Sequence, residues 1–297
     1  VRAFRTNMSL THIEFPQKEG GAFRLHFHEG RDDPSTGVFE PGAAFEVEAD
    51  RVVLAMPKRS LELLDHGCPD CSKHATNPWL SKAFRDLRDS VMGQPALKIF
   101  LAYRSRWWRT LGLGPGRSTT DLPLRQVYFF TTKDGAEQDA DGRALVMASY
   151  NDGLASSFWS SLIDASEDPG YVGMEDGDPL YSHRVRRPVV ELVQNQLRQM
   201  HGAEAFIPDP FLALTRNWTK DPFGGGWHFW NVGRKSWVVA PLIRQPFRPL
   251  PLFVCGEAYS TNQGWIEGAL ETAERVLQEH LGQAPPAWLP AGSDLGD

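Results

Sequence analysis

The sequence has few cysteines, no surplus of positive charge and no long apolar run. Three cysteines in 297 residues argue against a disulfide framework, which needs an even set at regular spacing. Lys and Arg together number 31 against 37 Asp and Glu, a net charge of −6. That balance leaves no basic footprint for nucleic acid or an anionic membrane surface, so neither partner is expected. No apolar stretch approaches the roughly 20 residues that a bilayer span needs, and no leader-like segment opens the sequence. The expectation is a soluble protein, cytoplasmic or secreted. Missing too is a strand-Gly-x-Gly-x-x-Gly-helix unit near the start. The glycine-rich Gly112-Leu-Gly-Pro-Gly116 follows Arg106-Trp-Trp-Arg109 rather than a buried strand, and it contains Pro115. It reads as a turn.

What is there in excess is tryptophan, ten residues. Its bulk and polar tip suit a lined pocket as well as a core. Near the end, Leu252 to Cys255 is an apolar run of strand length, stopped by Gly256. From Gly264 the period becomes helical: Ile266, Ala269, Leu270, Ala273, Val276, Leu277 and Leu281 share one stripe, and Gly282 ends it. A strand feeding a helix through small residues presents backbone N–H groups at a helix N-terminus, which suit an anion or an electron-rich carbonyl. A ligand-free strand-helix unit has the same spacing. The second notable stretch runs from Asn217 to Trp230 and holds Trp218, Gly224, Gly225, Gly226, Trp227 and His228. Three glycines allow close backbone approach; an aromatic turn is the plain alternative.

The rest of the chain supplies the frame. Asn7 to Glu14 and Phe23 to His28 alternate around Gly20-Gly21 as a hairpin. Arg31 to Ala44 reads as a loop. Phe45 to Met56 reads as one strand that enters a buried sheet and ends at Pro57. Trp79 to Met92 has helical spacing. Ala96 to Tyr103 is a strand with Lys98 inside it, either an edge strand with its lysine reaching water or a lysine with a function. Leu124 to Thr131 and Ala144 to Tyr150 are further strands, and Pro188 to Met200 is a helix stopped by Gly202. His66, Cys68, Cys71 and His74 offer four zinc-type ligands within nine residues. A single Cys-x-x-Cys set among Pro, Asp and Gly favours a surface loop, and no metal is expected.

Gly256-Glu257 followed by Gln263-Gly264-Trp265-Ile266-Glu267-Gly268-Ala269 closely resembles the C-terminal flavin motif of the flavin-dependent amine oxidase family, which includes monoamine, polyamine and L-amino-acid oxidases. The Asn217–Trp230 segment and the strand around Lys98 resemble family segments as well. The resemblance implies FAD as cofactor. It places the Leu10 backbone at the adenine, Gly256-Glu257 along the ribityl-phosphate, and Trp218, Gly225, Gly226, Gly264, Trp265 and Ile266 about the flavin. It assigns Lys98, through a water, to the flavin N5 edge and makes Trp227 and Trp265 the two walls of an aromatic cage. His228 and Gly264 join those tryptophans as candidate substrate contacts. Gly226 stands where some monoamine oxidases carry a flavin-linking cysteine, so noncovalent FAD is expected.

The implied fold is α/β plus α+β: part of a glutathione-reductase-like FAD domain (1–57 and 218–284), an inserted substrate domain on a mixed or antiparallel sheet (58–217), and a tail (285–297). The implied reaction is oxidative deamination of an L-amino acid, large or aromatic ones preferred, to 2-oxo acid, ammonia and peroxide. Simple amine oxidation, oxidative decarboxylation by a 2-monooxygenase, and a noncatalytic scaffold subunit stay open. The closest implied group is the bacterial L-amino-acid oxidases matured by proteolysis into several chains. The expected partner is the N-terminal chain of the same precursor, bearing the Gly-x-Gly-x-x-Gly unit and the carboxylate-binding arginine, with further dimerisation of that heteromer.

Overall fold

A computed structural model describes residues 4–18, 20–32, 39–66, 78–130, 143–165, 170–173, 183–202, 205–220 and 224–288. The chain forms two compact units. One comprises Val1–Arg31, Phe39–Gln94 and Lys220–Asp297; the other comprises Asp32–Val38 and Pro95–Thr219.

In the first unit, β1 (Met8–Glu14), β2 (Phe23–Asp32) and β3 (Phe39–Ala49) form a sheet in the order β1-β2-β3. Period-two alternation divides its faces. Ile13, Phe23 and Leu25 are buried, whereas His12, Glu14, Arg24 and His26 form the polar side. The expected loop at 31–44 is therefore strand up to Asp32 and again from Phe39, residues 33–38 lying outside those described. The single strand read from Phe45 to Met56 is broken at Asp50-Arg51, and β4 (Val52–Ala55) starts anew. α1 (Lys58–His66), α2 (Lys82–Arg88) and β5 (Val91–Gln94) follow. The predicted helix over Trp79–Met92 is only α2, its start capped by Ser81, whose Oγ accepts from the Phe84 amide at 3.2 Å. Met92 belongs to β5. The elements α1, α2 and β5, assigned from sequence to the substrate domain, pack within the first unit, whose division from the second falls at Gln94/Pro95.

The second unit is built on β6 (Ala96–Tyr103), β7 (Gly116–Thr119), β8 (Gln126–Phe129), β9 (Ala144–Asp152) and β10 (Leu212–Asn217), in the antiparallel order β10-β6-β9-β8-β7. Leu97, Ile99, Leu101 and Tyr103 alternate inward from β6. They share one core with Val189, Val193 and Leu197 of α4 (Arg187–His201) and with Trp159 of α3 (Leu154–Ala165). Pro188 sits in the first turn of α4, where its missing N–H costs nothing.

The chain returns to the first unit with β11 (Trp227–Trp230), which pairs antiparallel with β5. α5 (Ser236–Arg244) was not legible in the sequence because Pro241 lies inside it. β12 (Leu252–Cys255) pairs in parallel with β4, Leu252 opposite Val52 and Cys255 opposite Ala55. The last helix, α6, spans Ile266–Arg275 and continues as a looser turn over Val276–His280. It begins two residues later than Gly264. Only part of its apolar stripe is buried: Val276 is inside, whereas Ile266 and Leu270 are exposed. Among the described residues no helix is long and apolar enough to cross a membrane.

A charged group ties α1 to the end of α2. Glu62 accepts from Lys58 and Arg59, and Asp89 accepts from the buried Arg88 and lies 3.3 Å from Lys58. Burial pushes both carboxyls up, but their cationic neighbours outweigh it and hold both below their ordinary values of 4.5 and 3.8. A carboxyl depressed in the folded state stabilises fully above its unfolded value, and that contribution disappears as pH falls through the folded one. Unfolding free energy is therefore expected to drop from pH 5 downward. Glu62→Gln should remove about 1 kcal/mol at pH 7, the upper end for partly exposed ion pairs, and flatten the drop. Urea titrations at stepped pH check this, and an unchanged pH slope in the variant would disprove it.

Candidate functional site

Two sequence-distant stretches of the first unit meet at one carboxylate. Glu257 follows Gly256, whose φ of 132° is a conformation that glycine adopts readily. Its Oε1 accepts from the backbone N–H of His228 at 2.9 Å and of Gly264 at 2.6 Å. Its Oε2 lies 2.9 Å from His228 Nδ1. One side chain thus fastens β11, which carries Trp227, to the loop that carries Trp265. Gln263 adds a second tie: its Oε1 accepts from the Trp230 amide at 2.9 Å while its Nε2 donates to the Ala258 carbonyl. Trp230 Nε1 donates to the Ser260 carbonyl at 3.1 Å. Neither Gln263 nor Trp230 was assigned a role from sequence; both act across 30 or more residues, which a linear reading does not connect.

Gly264 lies in the left-handed region at φ 85°, and a Cβ built there would come 3.5 Å from the Trp227 ring. The loop passes over that indole with no side chain between. Trp265 follows, 70% exposed, as the residue that opens α6. No side chain caps this helix start, so its first-turn N–H groups are available to an outside acceptor. Thr272 locks the strand to the helix, accepting from the Gly256 amide at 2.8 Å and donating to the Gly256 carbonyl. Gly268 permits the close fit: a Cβ there would lie 2.2 Å from Ser260 Oγ.

His228, a candidate substrate contact, is 2% exposed, and its ring is held by Glu257. Glu257, expected along the cofactor, has both carboxylate oxygens accepting from protein donors. The run Gly224-Gly225-Gly226 also has a structural cause. A Cβ on Gly225 would stand 3.1 Å from the Gln94 carbonyl, one on Gly224 would overlap Arg59, and Gly226 N–H donates to Gln94 O at 2.7 Å. Gly225 and Gly226 thus lie directly against β5, and Gly224 against the Arg59 side chain of α1.

The remaining candidates lie elsewhere. Leu10 is partly buried on β1, an outer strand of its sheet, beside an irregularity between Leu10 and His12. Lys98 and Trp218 belong to the second unit. Lys98 is on β6, an inner strand flanked by β10 and β9, so the edge-strand reading does not hold. Its Nζ stands 4.7 Å from the centre of the Tyr150 ring, its directly opposed partner on β9, and Arg216 opposes it on β10. Arg216 in turn lies over the Trp218 ring, 4.8 Å from its centre, and 2.9 Å from His183 Nε2. Two cations side by side on neighbouring strands repel; the aromatic rings beside them offset part of that cost. Cys68, Cys71, His74 and the His66 side chain lie outside the described residues.

Residues 2–279 match the model of a family described as flavin containing amine oxidoreductase. Aplysianin-A of Aplysia kurodai is 27% identical over 271 residues, 89% of this chain and 45% of that protein. The putative L-amino-acid oxidase YobN of Bacillus subtilis (strain 168) is 25% identical over 62% of this chain and 32% of its own length. L-amino-acid oxidase 4 of Hebeloma cylindrosporum is 27% identical over 68% of this chain and 31% of its own. The chain spans less than half the length of these relatives. With the match running almost from end to end and including both stretches joined by Glu257, the chain belongs to the flavin-containing amine oxidoreductase family.

Proposed function

We propose that this chain carries the substrate-facing part of an FAD-dependent L-amino-acid oxidase. The observation that supports this most is the Glu257 junction, which sets Trp227 and the exposed Trp265 together at an uncapped helix start. The donor set fits a flavin held without a covalent link. First-turn N–H groups of α6 suit the ring's carbonyls, Gly226 offers no linking side chain, and the outer strand β1 has backbone to pair with adenine near Leu10. FAD, when bound, supplies the two-electron chemistry: it takes the hydride equivalent from the substrate Cα–H and passes the electrons to O2 as peroxide. The chain's own residues orient and exclude water. Trp227 and Trp265 make flat apolar surfaces that order the substrate, and burying its side chain contributes about 25 cal/mol per Å². Large or aromatic side chains therefore gain most. Lys98 is assigned to hold a water at the flavin's reactive edge.

The proposal includes a partner. β4 and β12 are a parallel pair two strands wide among the described residues, and Val53, Ile266, Leu270 and Trp237 leave apolar surface exposed. Parallel strands are normally covered on both faces and flanked by more strands. We assign the missing strand, the Gly-x-Gly-x-x-Gly turn and the carboxylate-binding arginine to the N-terminal chain of the same precursor. The proposed arrangement is that of a proteolytically matured bacterial oxidase, and the proposal extends to further dimerisation of the assembled heteromer.

Purified active enzyme tests these readings together. Acid precipitation is expected to release yellow flavin into the supernatant, denaturing electrophoresis to show a further chain with the glycine motif, and a peroxide assay to favour large L-amino acids. Activity on simple amines alone would replace the amino-acid reading by amine oxidation. Residues 1–297 that are yellow and active on their own would remove the partner.

A further inference from the structure

The polar face of the first sheet gathers a second set of chemistry-bearing side chains, independent of the flavin reading. His12 and Glu14 are two apart on β1 and so point to one side. His26 on β2 is directly opposite His12. The two imidazole rings lie 5.4 Å apart, tilted by 32°. His26 Nε2 is 2.9 Å from Glu14 Oε1, and its Nδ1 is 3.4 Å from Glu46 Oε1. One potential ligand atom from each of His12, Glu14 and His26 lies within 4.8 Å of the others.

We propose that His12, Glu14 and His26 bind one zinc ion, Glu46 orienting His26 from behind. Two imidazoles and a carboxylate are a zinc donor set, with metal–ligand distances of about 2.0–2.2 Å and hence donors roughly 3.3 Å apart in a tetrahedron. Side-chain rotation brings atoms within 4.8 Å to that spacing, because Glu14 is exposed and both histidines are partly exposed. Glu46 at Nδ1 favours the tautomer with the proton on that nitrogen and leaves Nε2 as the ligand, the carboxylate–histidine–metal arrangement found at many metal sites. Water completes the shell. Arg24 lies 3.6 Å from Glu14 and 3.5 Å from Glu46, balances the carboxylates without an ion, and shifts toward Glu46 and Glu48 when Glu14 turns to the metal. The ion would clip β1 to β2, a structural rather than catalytic role. The competing account of the same geometry is a pure ion-pair cluster with no metal affinity.

The test uses the complete enzyme, stripped with a chelator and titrated with zinc chloride by calorimetry and with cobalt(II) by visible absorption. About one equivalent is expected, with a dissociation constant on the order of micromolar or tighter. His12→Ala and His26→Ala should each weaken it at least about tenfold, and Glu46→Gln by about tenfold. His28→Ala, on the same strand as His26, should leave it unchanged. Absence of a cobalt band in the unmodified protein, or binding only in the millimolar range, overturns the proposal without any variant. So does one-equivalent binding that persists when both His12 and His26 are replaced.

Discussion

Glu257→Ala is expected to lower the unfolding free energy by about 3 kcal/mol, because it removes the acceptor of one buried imidazole and two backbone amides at once. The loss arises from what remains. The His228 ring, 2% exposed, keeps a polar nitrogen without its partner, and the His228 and Gly264 amides lose their acceptor. The same change frees the Trp265 loop from β11, so bound flavin should fall with stability. Glu257→Gln separates the two effects. Its carbonyl still accepts from both amides, and its NH2 donates to His228 Nδ1 once the imidazole takes the other tautomer. It should cost under about 1 kcal/mol. Urea unfolding and flavin content of both variants give the answer; an alanine variant as stable and as yellow as wild type would remove Glu257 from the junction.

Lys98→Met should leave flavin content near wild type and slow flavin reduction or reoxidation by roughly 100-fold, the lower range for a positioned proton-handling group. Methionine keeps the length of the side chain and its packing on Tyr150. Stability should change by only about 1 kcal/mol, from loss of the cation–π contact on one side and relief of repulsion from Arg216 on the other. Stopped-flow absorbance separates the two half-reactions. Wild-type rates in both would leave Lys98 as a residue of the sheet alone.

Where the sequence could be read, the signal was local. β6, β12 and α4 appear within a residue or so of their expected positions, because an apolar run or a helical stripe bounded by Gly or Pro needs no distant partner to declare itself. Met92 was misplaced for the opposite reason. Its neighbourhood has helical spacing, but pairing with Trp227–Trp230 makes it strand, and cross-strand hydrogen bonds override local propensity. α5 was hidden by Pro241, whose cost in a helix is offset by burying Val239, Ala240 and Ile243.

By itself the sequence determined the elements with a period and an end, the family motif at Gly256–Ala269 with Trp265, and the second resembling segment, Asn217–Trp230, with Trp227. Only the tertiary structure decided what holds them. The Glu257 contacts with His228 and Gly264 span 29 and 7 residues, and of the three glycines at 224–226, Gly225 lies against β5 while Gly224 lies against Arg59 of α1. The reason is physical. Periodicity reports which face of an element is apolar, whereas the partner of a half-buried carboxylate is set by where chain closure brings a donor, and that depends on every loop between them.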